Sequence, residues 1–142
     1  MADGRILALD YGKRRTGIAV SDPLQLIAGG LCTVETRQIK AFLTDYLAKE
    51  TVACIVLGLP TQTTGEASEN QQRVRTFAAW IKQQFPATDV EFYDERYTSV
   101  LAHRAIIAGG IPRMKRRDKA LTDEVAATII LEDFLESRRQ RG

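Results

Sequence analysis

Short apolar runs alternate along this chain with segments that have the period of an amphipathic helix. Residues 6–9 and 52–57 are continuous apolar runs, which are typical of central strands covered on both faces. Further strands are predicted over 16–20, within 27–34 and over 90–93, where β-branched and aromatic residues cluster between turn residues. The pattern therefore predicts five strands.

Apolar residues recur at three and four positions over 36–50, over 69–85 and from 121 to about 138, which predicts amphipathic helices. A further helix is predicted over 98–108, and the polar segment 61–70 is predicted to be a loop. The order β-β-β-α-β-α-β-α-α suits an antiparallel meander followed by right-handed parallel crossovers. We expect an α/β fold, with a five-stranded mixed sheet and helices on both faces.

A chain of 142 residues is expected to form one domain, here 1–142, with a single core. No apolar run approaches the roughly 20 residues that a membrane-spanning helix needs, and the first residues do not resemble a signal peptide. Cys32 and Cys54 lie in strand-like apolar runs and are expected to be small buried hydrophobic residues. These features favour a cytoplasmic protein without a membrane partner.

The net charge of +2 hides an uneven distribution of charge. Eleven of the 20 lysines and arginines lie in three short segments, 13–15, 113–119 and 138–141, which contain one acid, Asp118. The rest of the chain is acidic. Such blocks favour a polyanionic partner if they meet on one face, and they are solvated surface patches if they do not.

Three acids stand at positions where their carboxylates could converge at one edge of the sheet. Asp10 ends the first central strand, Glu95 follows the fifth strand, and Asp123 lies in the first turn of the last helix. Clustered carboxylates need cations, and hard oxygen ligands suit Mg²⁺ or Mn²⁺. Metal ions held there could activate water for phosphodiester hydrolysis.

Each acid also has a structural interpretation. Asp10 could end a strand in a turn, Asp123 could be favoured by the helix macrodipole, and Asp94 competes with Glu95 because side chains alternate along a strand.

Basic residues lie within a few positions of all three acids. Because phosphate contacts position a nucleic acid without reading its sequence, these residues are candidates for phosphate binding. The 113–119 segment could instead be a solvated connector, but five basic residues among seven beside a candidate site favour nucleic-acid contact. The candidates are Lys13, Arg14, Arg96, Arg113, Lys115, Arg116, Arg117 and Lys119.

Four sequence blocks, in order and at compatible spacing, resemble the YqgF (RuvX) family of RNase H-like proteins over essentially the full chain. They are Ala8-Leu9-Asp10-Tyr11-Gly12 with Gly17-Ile18-Ala19-Val20, Val56-Leu57-Gly58-Leu59-Pro60, Tyr93-Asp94-Glu95-Arg96-Tyr97-Thr98-Ser99, and Asp123-Glu124-Val125-Ala126-Ala127 with Ile129-Ile130-Leu131.

The resemblance implies an RNase H-like fold and a metal-dependent nuclease whose catalytic and metal-binding acids are Asp10, Glu95 and Asp123. It further implies processing of the 5′ end of pre-16S ribosomal RNA, with ribosome-assembly proteins as further partners, or else resolution of Holliday junctions. The sequence itself does not choose between structured RNA and branched DNA, or between a monomer and a dimer.

The chain departs from the wider RNase H-like pattern in one respect. Many of those nucleases place an acid at the end of the fourth strand, where this chain has Gly58-Leu59-Pro60. The number of metal ions, one or two, therefore stays open, and so does a catalytically weak RNA-binding module. A phosphotransferase is less favoured, because the Asp10-to-Gly17 turn resembles that of actin-like kinases but no second phosphate loop follows.

Overall fold

The computed structural model describes residues 4–59, 65–94 and 119–141. Within these ranges the chain forms five strands, a short 3₁₀ turn over Thr36–Gln38 and three α-helices. The elements are β1 (Arg5–Tyr11), β2 (Arg15–Ser21), β3 (Ala28–Glu35), α1 (Ile39–Lys49), β4 (Val52–Leu59), α2 (Gly65–Gln84), β5 (Asp89–Asp94) and α3 (Lys119–Arg141).

The five strands form one mixed sheet in the order β3-β2-β1-β4-β5. The first three strands pair antiparallel, whereas β1 with β4 and β4 with β5 pair parallel. This confirms the predicted meander followed by parallel crossovers. The carboxyl ends of β1, β4 and β5 consequently meet at one edge of the sheet, which we call the carboxyl edge.

Helices cover both faces of the sheet, because successive side chains along a strand point to opposite sides. Leu7 and Leu9 of β1 pack in the core that contains residues of α1 and α2, whereas Ile6 and Ala8 pack in the core beneath α3. All four side chains are fully buried, which explains why β1 is a continuous apolar run rather than an alternating one.

Several predicted boundaries differ from the structure. Asp123, predicted in the first turn of the last helix, is the fifth residue of α3, because that helix begins at Lys119. The first strand is predicted to end at Asp10, but it extends one residue further, to Tyr11. The segment predicted as a loop over 61–70 is helical from Gly65 onward, so that part of the prediction is wrong. Ser68 and Glu69 in this stretch are exposed, and a helical turn that faces water needs no apolar residues, so a polar composition does not distinguish it from a loop. The helix predicted over 98–108 lies outside the described residues.

Both cysteines are free, and the predicted burial is confirmed for Cys54 but not for Cys32. Cys54 is fully buried beneath α3 and Cys32 is half-buried. Burial, together with the nearby carboxylate of Glu91, raises the pKa of the Cys54 thiol to about 12, so this side chain stays a neutral thiol at physiological pH. None of the described helices is long and apolar enough to span a membrane.

Candidate active site at the carboxyl edge

Asp10 lies on the α3 side of the sheet, at the carboxyl edge. It continues the series of even-numbered β1 residues, Ile6 and Ala8, whose side chains pack beneath α3. Its own side chain is half-buried, whereas those two are fully buried. The residues of β1 on this side therefore change from apolar to acidic at the point where α3 no longer fully covers the strand.

Asp123 is brought to the same place by a backbone contact at Gly17. In the antiparallel register of β1 and β2, Gly17 is the direct partner of Asp10. A β-carbon built on Gly17 would overlap the backbone carbonyl oxygen of Asp123, so the first turns of α3 rest directly on β2. Directly opposed residues in such a ladder lie about 4.5–5.5 Å apart. Asp10 and Asp123, far apart in sequence, therefore flank the same glycine.

Arg15 pairs with Asp123 and was not among the predicted site residues. Its Nε donates a hydrogen bond of 3.0 Å to Asp123 Oδ2, and the two side chains are 39% and 25% exposed. Arg15 stands two residues before Gly17 and so shares its face of the sheet. The alternation of side chains along β2 could be predicted from the sequence, but the docking of α3 against β2 could not.

The turn between β1 and β2 is fixed by hydrogen bonds from Thr36. The Gly12 amide donates to the Arg15 carbonyl at 3.0 Å and closes the turn. Thr36 Oγ1 donates to the Gly12 carbonyl at 2.7 Å, and the Thr36 amide donates to the Arg14 carbonyl at 2.8 Å. The backbone that carries Lys13 and Arg14 is thereby held against the start of the 3₁₀ turn.

Lys13 and Arg14, predicted to contact nucleic acid, are exposed and line a basic pocket of about 460 Å³. Arg15 also lines this pocket, which joins it to Asp123. The remaining lining residues are Glu35 and Arg37, which form an ion pair at 2.6 Å. Four cations and one acid leave the pocket with a positive balance beside the two site carboxylates.

The neighbouring acid Glu124 does not join this site. Its Oε1 would lie 2.5 Å from a β-carbon built on Gly30 of β3, away from β1. Burial, together with the charge of Glu124, raises the pKa of the Cys32 thiol. The fourth strand contributes no carboxylate either, because Gly58 is the β4 residue on the α3 side at the carboxyl edge.

Several predicted site residues lie outside the described ranges, among them the third acid, Glu95, and the basic residues Arg96, Arg113, Lys115, Arg116 and Arg117. Lys119 is the first residue of α3, at the end of the helix that carries Asp123. Among residues 4–59, 65–94 and 119–141, no three metal-ligating side chains form a cluster. The described part of the chain thus contributes two acids.

The third basic block lies at the opposite end of α3. Arg138 Nη1 donates to Gln25 Oε1 at 3.2 Å, and its guanidinium lies 5.5 Å from the ring centroid of Phe134. Arg139 pairs with Glu136 at 3.6 Å. At 1.5 Å of rise per residue, Arg138 is about 22 Å along the helix from Asp123. Arg138 and Arg139 therefore lie at the far end of α3 and do not line the basic pocket.

Comparison with known proteins identifies the chain's relatives. The family profile described as "RuvX: Holliday junction resolvase" matches residues 4–137. Relatives from Bacteroides thetaiotaomicron, Porphyromonas gingivalis and Flavobacterium psychrophilum are 53%, 52% and 44% identical, and each alignment covers at least 92% of this chain and 96% of the relative. All three carry the name "Putative pre-16S rRNA nuclease".

Among solved structures, the fold matches a Thermus thermophilus RuvC chain in complex with a Holliday junction substrate. The TM-score is 0.62 at 15% identity, and the match covers 96% of each chain. Because the identity is low, this structural match supports the RNase H-like fold and nothing further, and it agrees with the strand order described above. Together with the match over 4–137, these findings establish that the chain belongs to the RuvX family of RNase H-like proteins.

Proposed function

We propose that this protein is a metal-dependent nuclease that hydrolyses phosphodiester bonds in the precursor of 16S ribosomal RNA. The observation that carries the proposal is the contact of Gly17 with the Asp123 backbone, which sets two acids on either side of one glycine at the carboxyl edge. Family membership and the names of the relatives support the same reaction class.

The donor set fits a hard divalent cation such as Mg²⁺ or Mn²⁺. Asp10 and Asp123 supply carboxylate oxygens, and Glu95 directly follows β5, whose residues Glu91 and Tyr93 pack on the α3 side. We assign these three acids as the ligands. When bound, the cation would lower the pKa of a coordinated water and stabilise developing negative charge on phosphate oxygens.

The remaining residues at the edge hold the nucleic acid. Lys13 and Arg14 are exposed on a turn whose backbone is fixed by hydrogen bonds, and they share a pocket with Arg15, the partner of Asp123. They position the phosphate backbone without reading sequence, and we assign Arg96, Arg113, Lys115, Arg116, Arg117 and Lys119 to the same role. We propose that the reaction takes place in the cytoplasm, because the proposed substrate is a ribosomal RNA precursor, and that ribosome-assembly proteins are further partners.

The deciding experiment measures the cleavage of three substrates, each in the presence of Mg²⁺, of Mn²⁺ or of a chelator. They are RNA that spans the 5′ end of pre-16S rRNA, unstructured single-stranded RNA and a four-way DNA junction. We expect cleavage of the precursor RNA that depends on the metal and is lost with the chelator. Gel analysis of end-labelled substrates reads both the rate and the position of cleavage.

The two alternatives predict different results in the same assay. Faster cleavage of the junction than of the precursor RNA would favour a Holliday junction resolvase, which is the description of the family profile. Binding that weakens steeply with salt, with no cleavage of any substrate, would favour a catalytically weak RNA-binding module.

Replacing Arg15 with glutamine is expected to tighten Mn²⁺ binding by about threefold to tenfold. The guanidinium lies 3.0 Å from an Asp123 oxygen and competes with any cation for that carboxylate. Titration calorimetry or the electron spin resonance of free Mn²⁺ measures the affinity. Arg14→Gln, which removes an exposed charge one residue earlier, is the matched control and should change the affinity less. Equal affinities for the Arg15→Gln variant and the wild type would refute a metal site at Asp123.

A further inference from the structure

A groove lies on the face of the sheet opposite to Asp10, between α1 and α2 at the end of β1. Its volume is about 470 Å³, within the range of about 300–1,000 Å³ that is typical of small-molecule sites. It contains polar, aromatic and basic side chains, and none of its described lining residues is acidic. Those that carry the argument are Tyr11, Lys40, Gln72, Arg73, Trp80 and Gln83.

The floor of this groove is a row of stacked aromatic rings. Tyr11 stacks on Phe77 with ring centroids 4.4 Å apart, and Phe77 lies nearly parallel to Trp80 at 5.8 Å. Phe77 is buried and fixes the row, while Tyr11 and Trp80 are only half-buried and line the groove. The rings are therefore held in place before any ligand arrives, which reduces the entropic cost of stacking.

Two cations stand beside the rings. The Lys40 ammonium lies 5.1 Å from the centroid of the Trp80 ring, within the distance of a cation–π contact. Arg73 is half-buried and lines the same groove as Tyr11. Gln72 and Gln83 are exposed and add amide donors and acceptors. Aromatic faces with cations and amides, without an acid, match the chemistry of a nucleotide.

We propose that this aromatic groove binds a single-stranded segment of nucleic acid. A base stacks on the face of the Trp80 ring that Lys40 covers, and the flanking phosphates pair with Lys40 and Arg73. Lys40 is exposed and flexible, so its ammonium can leave the indole for a phosphate when a base takes its place. Stacking of this kind tolerates any base, because every base has an aromatic face.

The groove lies one residue from the candidate active site. Tyr11 directly follows Asp10 in β1, and the two side chains point to opposite faces of the same edge. A strand that leaves the site only has to cross the carboxyl edge to reach the groove. The inference rests on the proposed nuclease function and adds to it a holding site for the single-stranded flank of the cleavage position.

Trp80 is the one tryptophan of the chain, so intrinsic fluorescence reports directly on the groove. The probes are unlabelled hexauridylate and hexaadenylate RNA, titrated without divalent metal into the full chain carrying Asp10→Asn, a variant that is expected not to cleave them. We expect quenching of the tryptophan emission that saturates, with an affinity that weakens as salt is raised. The double variant Lys40→Gln/Arg73→Gln should weaken this affinity by about tenfold or more.

Lys82→Gln is the matched control, because Lys82 is an exposed cation on α2 that does not line the groove. It should bind as the parent does. Oligonucleotide binding detected by calorimetry without any change in Trp80 emission would overturn the proposal, since the strand would then lie elsewhere. A second result would also overturn the proposal: Trp80 emission that changes with protein concentration but not with RNA concentration, together with a dimer in sedimentation. The groove would then contact a second copy of the chain.

The inference and the proposed function fail in different ways. Cleavage by the wild type without quenching by hexanucleotides removes the groove proposal and leaves the nuclease. Quenching without any metal-dependent cleavage supports the groove and removes the nuclease.

Discussion

Replacing Asp10 with asparagine is expected to abolish metal-dependent cleavage, a loss of at least about a thousandfold, while the fold and nucleic-acid binding persist. A bound cation contributes several kcal/mol to the stabilisation of the transition state, and each 1.4 kcal/mol is about tenfold in rate. Asparagine keeps the shape of the side chain and removes the charge that holds the cation. Initial rates on precursor RNA, in single-turnover conditions, measure the effect.

The control for this variant is Asp89→Asn. Asp89 is an exposed acid that begins β5, at the end of the sheet away from the carboxyl edge, so its loss should leave the rate within about twofold of the wild type. Thermal melting checks that both variants fold, and fluorescence anisotropy of a labelled RNA checks binding. Cleavage by Asp10→Asn at the wild-type rate would remove Asp10 from the mechanism.

The sheet could be predicted because each strand is marked by a local pattern of apolar residues and flanking turn residues. The run at 6–9 is fully buried on both faces, and the turn around Gly12 joins it to an antiparallel partner, as the sequence indicated. The position of Asp10 at the edge followed from the same run. Local pattern was enough here, since each feature depends on residues that are close in the chain.

The Arg15–Asp123 pair was not predictable, because it joins positions 108 residues apart through the docking of a helix on a sheet. The sequence indicated that α3 would be amphipathic, but not which residue of β2 would receive its first turns. Gly17 could have been recognised as the close contact only with the register of β1 and β2 known. The aromatic groove likewise depends on how α1 and α2 lie side by side.

Gly17→Ala is expected to lower both stability and activity. The added methyl group would collide with the Asp123 carbonyl oxygen, a backbone atom that cannot rotate away, so α3 must shift from β2. Overpacking of this kind costs about 1–3 kcal/mol. For a chain of this size the cost corresponds to a decrease of roughly 3–12 °C in Tm. Calorimetric melting measures it.

The same shift moves Asp123 relative to Asp10, and a misplacement of about 1 Å at a catalytic group can lower the rate by about a hundredfold. We therefore expect slow cleavage by Gly17→Ala even at temperatures where the variant is fully folded.

Two other glycine variants separate this contact from the general effect of adding a methyl group. Gly29→Ala on β3 meets open space and should be neutral or stabilising by up to about 1 kcal/mol, because alanine loses less backbone entropy on folding. Gly30→Ala meets the side-chain end of Glu124, which can move, so its effect should fall between the other two. If Gly17→Ala melts and cleaves like Gly29→Ala, then α3 does not rest on β2 at Gly17, and the two acids are not brought together in this way.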